Sequence, residues 1–185
     1  MLDDPKSARV KGVSRLQQKD ARFETGLFLL EGPQGLKELV RQPQLAHEVF
    51  ATSVALERYS DLFEALEDSG VSVIEVSERV LEAMADTKTP QGVVAVLGQF
   101  DVNLDDLIDS QPRLVAFLDR VQDPGNAGTV IRAADASGAD GVVFSSGSVD
   151  LYNPKLVRST AGSLLHLPSV INADPLASVN ALKAS

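Results

Sequence analysis

In the second half of the chain two short apolar runs flank a segment of helical period, and few folds accept that order. Leu114-Val115-Ala116-Phe117-Leu118, closed by Asp119, and Gly141-Val142-Val143-Phe144 read as strands. Between them Ala127, Val130, Ile131 and Ala134 fall at i, i+3, i+4 and i+7, the spacing of one apolar helix face. Strand, turn, helix and strand in this order imply a parallel pair joined by a right-handed crossover. Ligands of open parallel sheets lie beyond the carboxyl ends of the strands, so the turn that follows Asp119 is where chemistry belongs.

That turn reads Asp119-Arg120-Val121-Gln122-Asp123-Pro124-Gly125-Asn126-Ala127-Gly128-Thr129-Val130-Ile131-Arg132. It lacks the Gly-Lys-Ser/Thr of a Walker A loop and the spacing of a GxGxxG fingerprint. Gly125 and Gly128 are suited to close approach of a ligand's backbone, and Asn126 to an N-cap whose amide also faces a substrate. Arg132 follows six residues later. A tight βα turn with a capped helix and no ligand accounts for these residues equally well.

Upstream, residues 7 to about 100 alternate helices and strands. Ser7 is a plausible N-cap for a short helix reaching Lys19. If that helix continues to residue 22, Lys11, Arg15, Lys19 and Arg22 form one stripe, which suits a phosphate backbone, although on its own such a stripe is more often a solvated face. Leu27-Phe28-Leu29-Leu30, Glu48 to Thr52, Val71 to Val76 and Val93 to Leu97 read as strands. Short helices over Gly35–Arg41, around Leu62, Phe63 and Leu66, and at Val80, Leu81 and Met84 lie between them. Asp101 to Pro112 carries four aspartates (Asp101, Asp105, Asp106 and Asp109) and no base, and reads as a linker or a solvated linker helix. The expected division is therefore 1–100, a linker at 101–112, and 113–185.

Composition narrows the chemistry. The 185 residues hold no Cys and two His, which excludes disulfides, thiolate metal sites, a catalytic thiol and a histidine cluster. No metal site is expected, and His47 and His166 read as structural or surface residues. No apolar run approaches a membrane span, and the polar start lacks a signal-peptide core, so a soluble, cytoplasmic protein is expected. The net charge of −9 is unevenly spread: residues 1–41 carry +2, residues 42–111 carry −11, and the remainder is neutral. Six bases and one acid between Lys6 and Arg22 leave room for an anionic partner.

The stretch Phe117 to Gly141, with Asn126-(five residues)-Arg132 inside it, closely resembles the first motif of the SpoU/TrmH family of RNA ribose 2′-O-methyltransferases. Asp150-Leu151-Tyr152-Asn153-Pro154-Lys155-Leu156-Val157-Arg158-Ser159-Thr160-Ala161-Gly162-Ser163-Leu164 is similar to the segment that follows that motif. Arg22-Phe23-Glu24-Thr25-Gly26-Leu27-Phe28-Leu29-Leu30-Glu31-Gly32 is similar to the opening of the family's small RNA-binding domain. The resemblance covers nearly the whole chain.

The resemblance implies a small ribosomal-protein-like α/β domain for substrate binding, then a parallel-sheet α/β-knot (SPOUT) methyltransferase domain that is incomplete here. It implies transfer of a methyl group from S-adenosylmethionine to a ribose 2′-hydroxyl of ribosomal or transfer RNA, and a homodimer for the complete member. Asn126 and Arg132 then take catalytic roles. Arg132 orients the hydroxyl, and Asn126 holds the local geometry. Lys11, Arg15, Lys19, Arg22 and Arg158 become RNA contacts, and Tyr152 is read as packing. The family's Gly-x-Glu-x-x-Gly-like and Ser-Leu-Asn segments, which supply most of the cofactor pocket, do not occur in this sequence. The expectation is a member truncated before the knot, with cofactor contacts mostly beyond Ser185, weak or no cofactor binding, and an exposed sheet edge. A non-catalytic RNA-binding protein and a small-ligand α/β domain are the alternatives.

Overall fold

The computed structural model describes residues 1–184. The chain divides into two compact units, Met1–Gln99 and the part from Phe100 onward.

In the first unit two helices, α1 (Ala8–Arg15) and α2 (Lys19–Thr25), lead into β1 (Leu27–Glu31), α3 (Pro33–Leu39), β2 (Ala46–Ala51), α4 (Ser53–Arg58) and α5 (Ser60–Asp68). Then come β3 (Val73–Glu75), α6 (Glu78–Met84) and β4 (Val93–Gly98). The strands pair in the order β1-β4-β2-β3, antiparallel except for β2 with β3. Near-continuous apolar runs in β1 and β4 follow from this, because both strands are buried. On one side Val10 and Val13 of α1 and Val80, Leu81 and Met84 of α6 pack with Leu29, Phe50 and Val94.

The basic stripe does not survive as one helix. α1 ends at Arg15, residues 16–18 turn, and α2 begins at Lys19. Arg22 is only 2% exposed. Its Nη1 donates to the carbonyl oxygens of Leu16 and Gln17, each at 2.8 Å, and so satisfies the acceptors freed where α1 stops. An RNA contact at Arg22 is thereby corrected to a structural clamp.

In the second unit α7 (Leu104–Asp109) precedes β5 (Val115–Leu118), α8 (Pro124–Ala136), β6 (Gly141–Ser145), α9 (Pro154–Ser159), β7 (Ser169–Ala173) and α10 (Pro175–Ala184). The strands form a parallel sheet in the order β5-β6-β7, so each crossover adds the next strand on the same side. The supposed linker is part of this unit. Asn103 and Asp106 form a capping box for α7, and Leu107, 2% exposed, packs on Val143, Val170 and Ala173. Gly141 makes room for it: a Cβ there would lie 2.6 Å from Leu107 Cδ1. Asp105, Asp106 and Asp109 mark the wet side of this amphipathic helix.

Two further contacts brace the second unit. The backbone N–H groups of Leu114 and Arg113 donate to Asp140 Oδ2 at 2.9 and 2.7 Å, and they hold its carboxyl below the usual carboxylate range. The Tyr152 hydroxyl accepts from the N–H groups of Phe100 and Asp101 and donates to Asp101 Oδ1, all at 2.8 Å. Burial pushes its phenol pKa up, so it stays a neutral donor. The residue is packing with its polar tip satisfied, as read from the sequence.

Candidate functional site

The carboxyl ends of β5 and β6 meet the amino end of α8, and hydrogen bonds tie the loops there to one another. Ser145, at the end of β6, donates to Asp119 Oδ1 and accepts from the Arg120 N–H, both at 2.8 Å. The Val149 N–H donates to the Val121 carbonyl at 2.7 Å, and Gln122 Nε2 donates to the Gly147 carbonyl. Arg120 adopts φ = 50°, a left-handed conformation that a non-glycine residue holds at a cost, here within a loop fixed on both sides.

Asp123, not Asn126, caps α8. Its Oδ1 accepts from the Asn126 N–H at 2.7 Å, with Pro124 at the first helical position. That bond, and beyond it the Lys155 ammonium 3.7 Å from Oδ2, hold the Asp123 carboxyl below its ordinary range. The signal was present in the sequence, because Asp before Pro is a start pair and Asn126 lies three residues inside it.

Gly128 also has a different use from the one its sequence context suggests. A Cβ at Gly128 would lie 1.7 Å from Ser159 Oγ and 3.0 Å from the Leu156 carbonyl oxygen. The glycine brings α9 against α8. The buried face of α8 is Ala127, Gly128, Ile131 and Ala134, and Val130 lies 38% exposed outside it.

Asn126 and Arg132 are both exposed on α8. Six helical residues place them about 120° apart around the axis and about 9 Å along it, one on either flank of the buried face. Helical side chains lean toward the amino end, which brings the Arg132 stem back toward the turn of Asn126. Neither side chain has a hydrogen-bond or ion-pair partner among the described residues. Both are solvated polar groups on a capped, packed helix, Asn126 in its first turn and Arg132 past its middle. Arg158 is half-buried on α9, which packs on α8.

Of the residues expected to meet RNA in the first unit, Lys11, Arg15 and Lys19 are exposed. Arg15 reaches Glu24 Oε2 at 3.4 Å. His166 Nδ1 lies 2.8 Å from Asp135 Oδ2, a surface pair, and His47 is exposed. Among the described residues no cluster of His, Asp or Glu could hold a metal, and no helix is long and apolar enough to cross a membrane.

Residues 7–95 match the MRM3-like substrate binding domain, and residues 113–185 match the SpoU rRNA Methylase family. A Bacillus subtilis protein named 23S rRNA (guanosine(2553)-2′-O)-methyltransferase RlmP is 35% identical over 91% of this chain. The chain spans 64% of that protein's length. An AdoMet-bound rRNA methyltransferase from Sinorhizobium meliloti superposes with a TM-score of 0.83 at 28% identity, over 99% of this chain and 68% of that one. The SpoU methyltransferase AviRb from Streptomyces viridochromogenes, in complex with AdoMet, gives 0.79 at 28% identity, over 96% and 67%. The parallel β5–β7 sheet and these matches agree: residues 113–185 belong to the SpoU rRNA Methylase family, and they follow a domain that matches the MRM3-like substrate binding domain.

Proposed function

We propose that this chain belongs to an enzyme that transfers a methyl group from S-adenosylmethionine to a ribose 2′-hydroxyl of ribosomal RNA. The observation that carries the reading is the unpartnered Asn126 and Arg132 on α8, the helix whose amino end meets the carboxyl ends of a parallel sheet, where ligands bind. The first unit is the substrate-binding domain, with Lys11, Arg15 and Lys19 on the RNA backbone. Arg158 is a further RNA contact beside α8. A homodimer is the assembly the family implies. The cytoplasm is the compartment proposed, in line with the bacterial relatives, although a human relative is named as mitochondrial.

S-adenosylmethionine supplies the electrophilic methyl group. The polar groups at the ends of β5 and β6 do not form a cradle for it, since Ser145 is spent on Asp119 and Arg120, and Gln122 on Gly147. No cofactor contact is assigned to a residue of this chain, and the groups on α8 are read as the sugar side of the site.

As the 2′-hydroxyl oxygen bonds to the methyl carbon, the methyl–sulfur bond breaks with its electron pair left on sulfur as a neutral thioether, the hydroxyl proton passes to solvent, and negative charge develops on the oxygen along the way. A guanidinium with a pKa above about 12 stays protonated at neutral pH and is a poor base. Arg132 therefore orients the hydroxyl and stabilises the developing charge, while the Asn126 amide fixes the sugar by hydrogen bonds. The test is methyl transfer to ribosomal RNA by the whole enzyme. Arg132→Ala is expected to bind RNA normally and lose turnover by about 10²-fold or more, the scale for removing one such donor. Undiminished methylation by that variant rejects the role.

A further inference from the structure

Phe23 on α2 is 88% exposed, the most exposed of the large apolar side chains among the described residues. A phenyl ring held in water forgoes the free energy it would gain in a core, and Phe23 does so beside cations. Lys19 lies four residues earlier on the same helix and shares its face. Arg15, the last residue of α1, contacts Glu24, which brings the end of that helix to the residue next to Phe23. Lys11 lies one turn back, and a Cβ on the intervening Gly12 would meet nothing within 4 Å, so the surface between them is open.

We propose that Phe23 is a stacking platform for one unpaired RNA base, with Arg15, Lys19 and Lys11 on the flanking phosphates. The inference rests on RNA being the ligand, as proposed above. Sites for single-stranded nucleic acid pair a cationic track with aromatic faces, because every base offers a π-surface while its backbone offers charge. A protein-docking patch needs contiguous apolar surface. The exposed neighbours of Phe23 on α2 are instead Lys19, Asp20, Glu24 and Thr25, all polar. One isolated ring fits one base.

The chain contains no tryptophan, so Phe23→Trp creates a single emission probe at the site. Titrations of the chain with an RNA stem-loop and with a blunt duplex of equal length are the experiment. Phe23→Ala is expected to weaken stem-loop binding about tenfold, leave duplex binding unchanged and leave the salt dependence unchanged, because the ring is uncharged. Phe23→Trp is expected to keep the affinity and lose emission on the stem-loop but not on the duplex. Full stem-loop affinity in the alanine variant, or tryptophan emission unmoved at saturation, overturns the stacking role, and the second is the result a protein-docking ring predicts. No RNA binding by the unsubstituted chain would instead overturn the RNA reading beneath it.

Discussion

Among the basic residues of the amino-terminal segment, burial separates two uses of the same charge. Lys11, Arg15 and Lys19 are solvated, while Arg22 is enclosed and donates to two carbonyls at the α1–α2 joint. Arg22→Ala leaves those carbonyls without their donor, and the expected loss is about 1–3 kcal/mol of stability, the cost of unpaired buried polar groups. Urea unfolding measures it. The folded fraction of Arg22→Ala should bind RNA as before, whereas a stable variant with weakened RNA binding would return Arg22 to the surface stripe. The sequence holds no mark of this difference. The spacing Lys11, Arg15, Lys19, Arg22 is regular, and the turn at residues 16–18 that breaks it contains neither Gly nor Pro.

At the level of elements, legibility followed burial on both faces. β1 and β4 are enclosed, and their uninterrupted apolar runs announce them, as for β6; α8 was legible instead through its helical period, of which Ala127, Ile131 and Ala134 are buried and Val130 is not. Asn126 and Arg132, the candidates for catalysis, lie on that crossover helix and are exposed. What stayed hidden depended on partners distant in sequence. Gly128 answers to Ser159, and Gly141 to Leu107, pairings that no local pattern encodes. The buried side of α7 was hidden for a related reason, because four aspartates with no base among Val102, Leu104, Leu107 and Ile108 read as a solvated segment, and only the distant partners of Leu107 show that it is packed. Leu107→Ala tests that leucine. A buried Leu lost from a core costs about 2–5 kcal/mol, against about 0.5 kcal/mol or less for a solvated linker position. Amide hydrogen exchange should show β6 and β7 opening more readily in the variant, with β1 and β4 unchanged, because Leu107 packs on Val143 and Val170 of the second unit alone. Unaltered exchange in β6 would make the segment a linker after all.

Over the whole molecule the electrostatics run against the ligand: the chain carries −9, and residues 42–111 alone carry −11. Range resolves the conflict. At 0.01 M salt the screening length is about 30 Å and a phosphate feels the acidic stretch as well as the basic patch; at 0.1 M it is about 10 Å and the nearest cations dominate. Release of counterions from about three phosphates, one each for Lys11, Arg15 and Lys19, gives a slope of log affinity against log salt of about −2 to −3. Repulsion from the acids of residues 42–111 is relieved as salt rises, which offsets part of that loss at the low end. The expected plot is therefore curved, shallow between about 0.01 and 0.1 M and reaching the full slope only above that range. Fluorescence anisotropy with a labelled RNA over that series measures it. In the Lys11→Ala, Arg15→Ala, Lys19→Ala triple variant the steep limb should flatten toward zero while the fold persists, since all three side chains are exposed. If the triple variant keeps the full slope, the RNA is held by cations elsewhere in the chain, and the basic helices are only a solvated face.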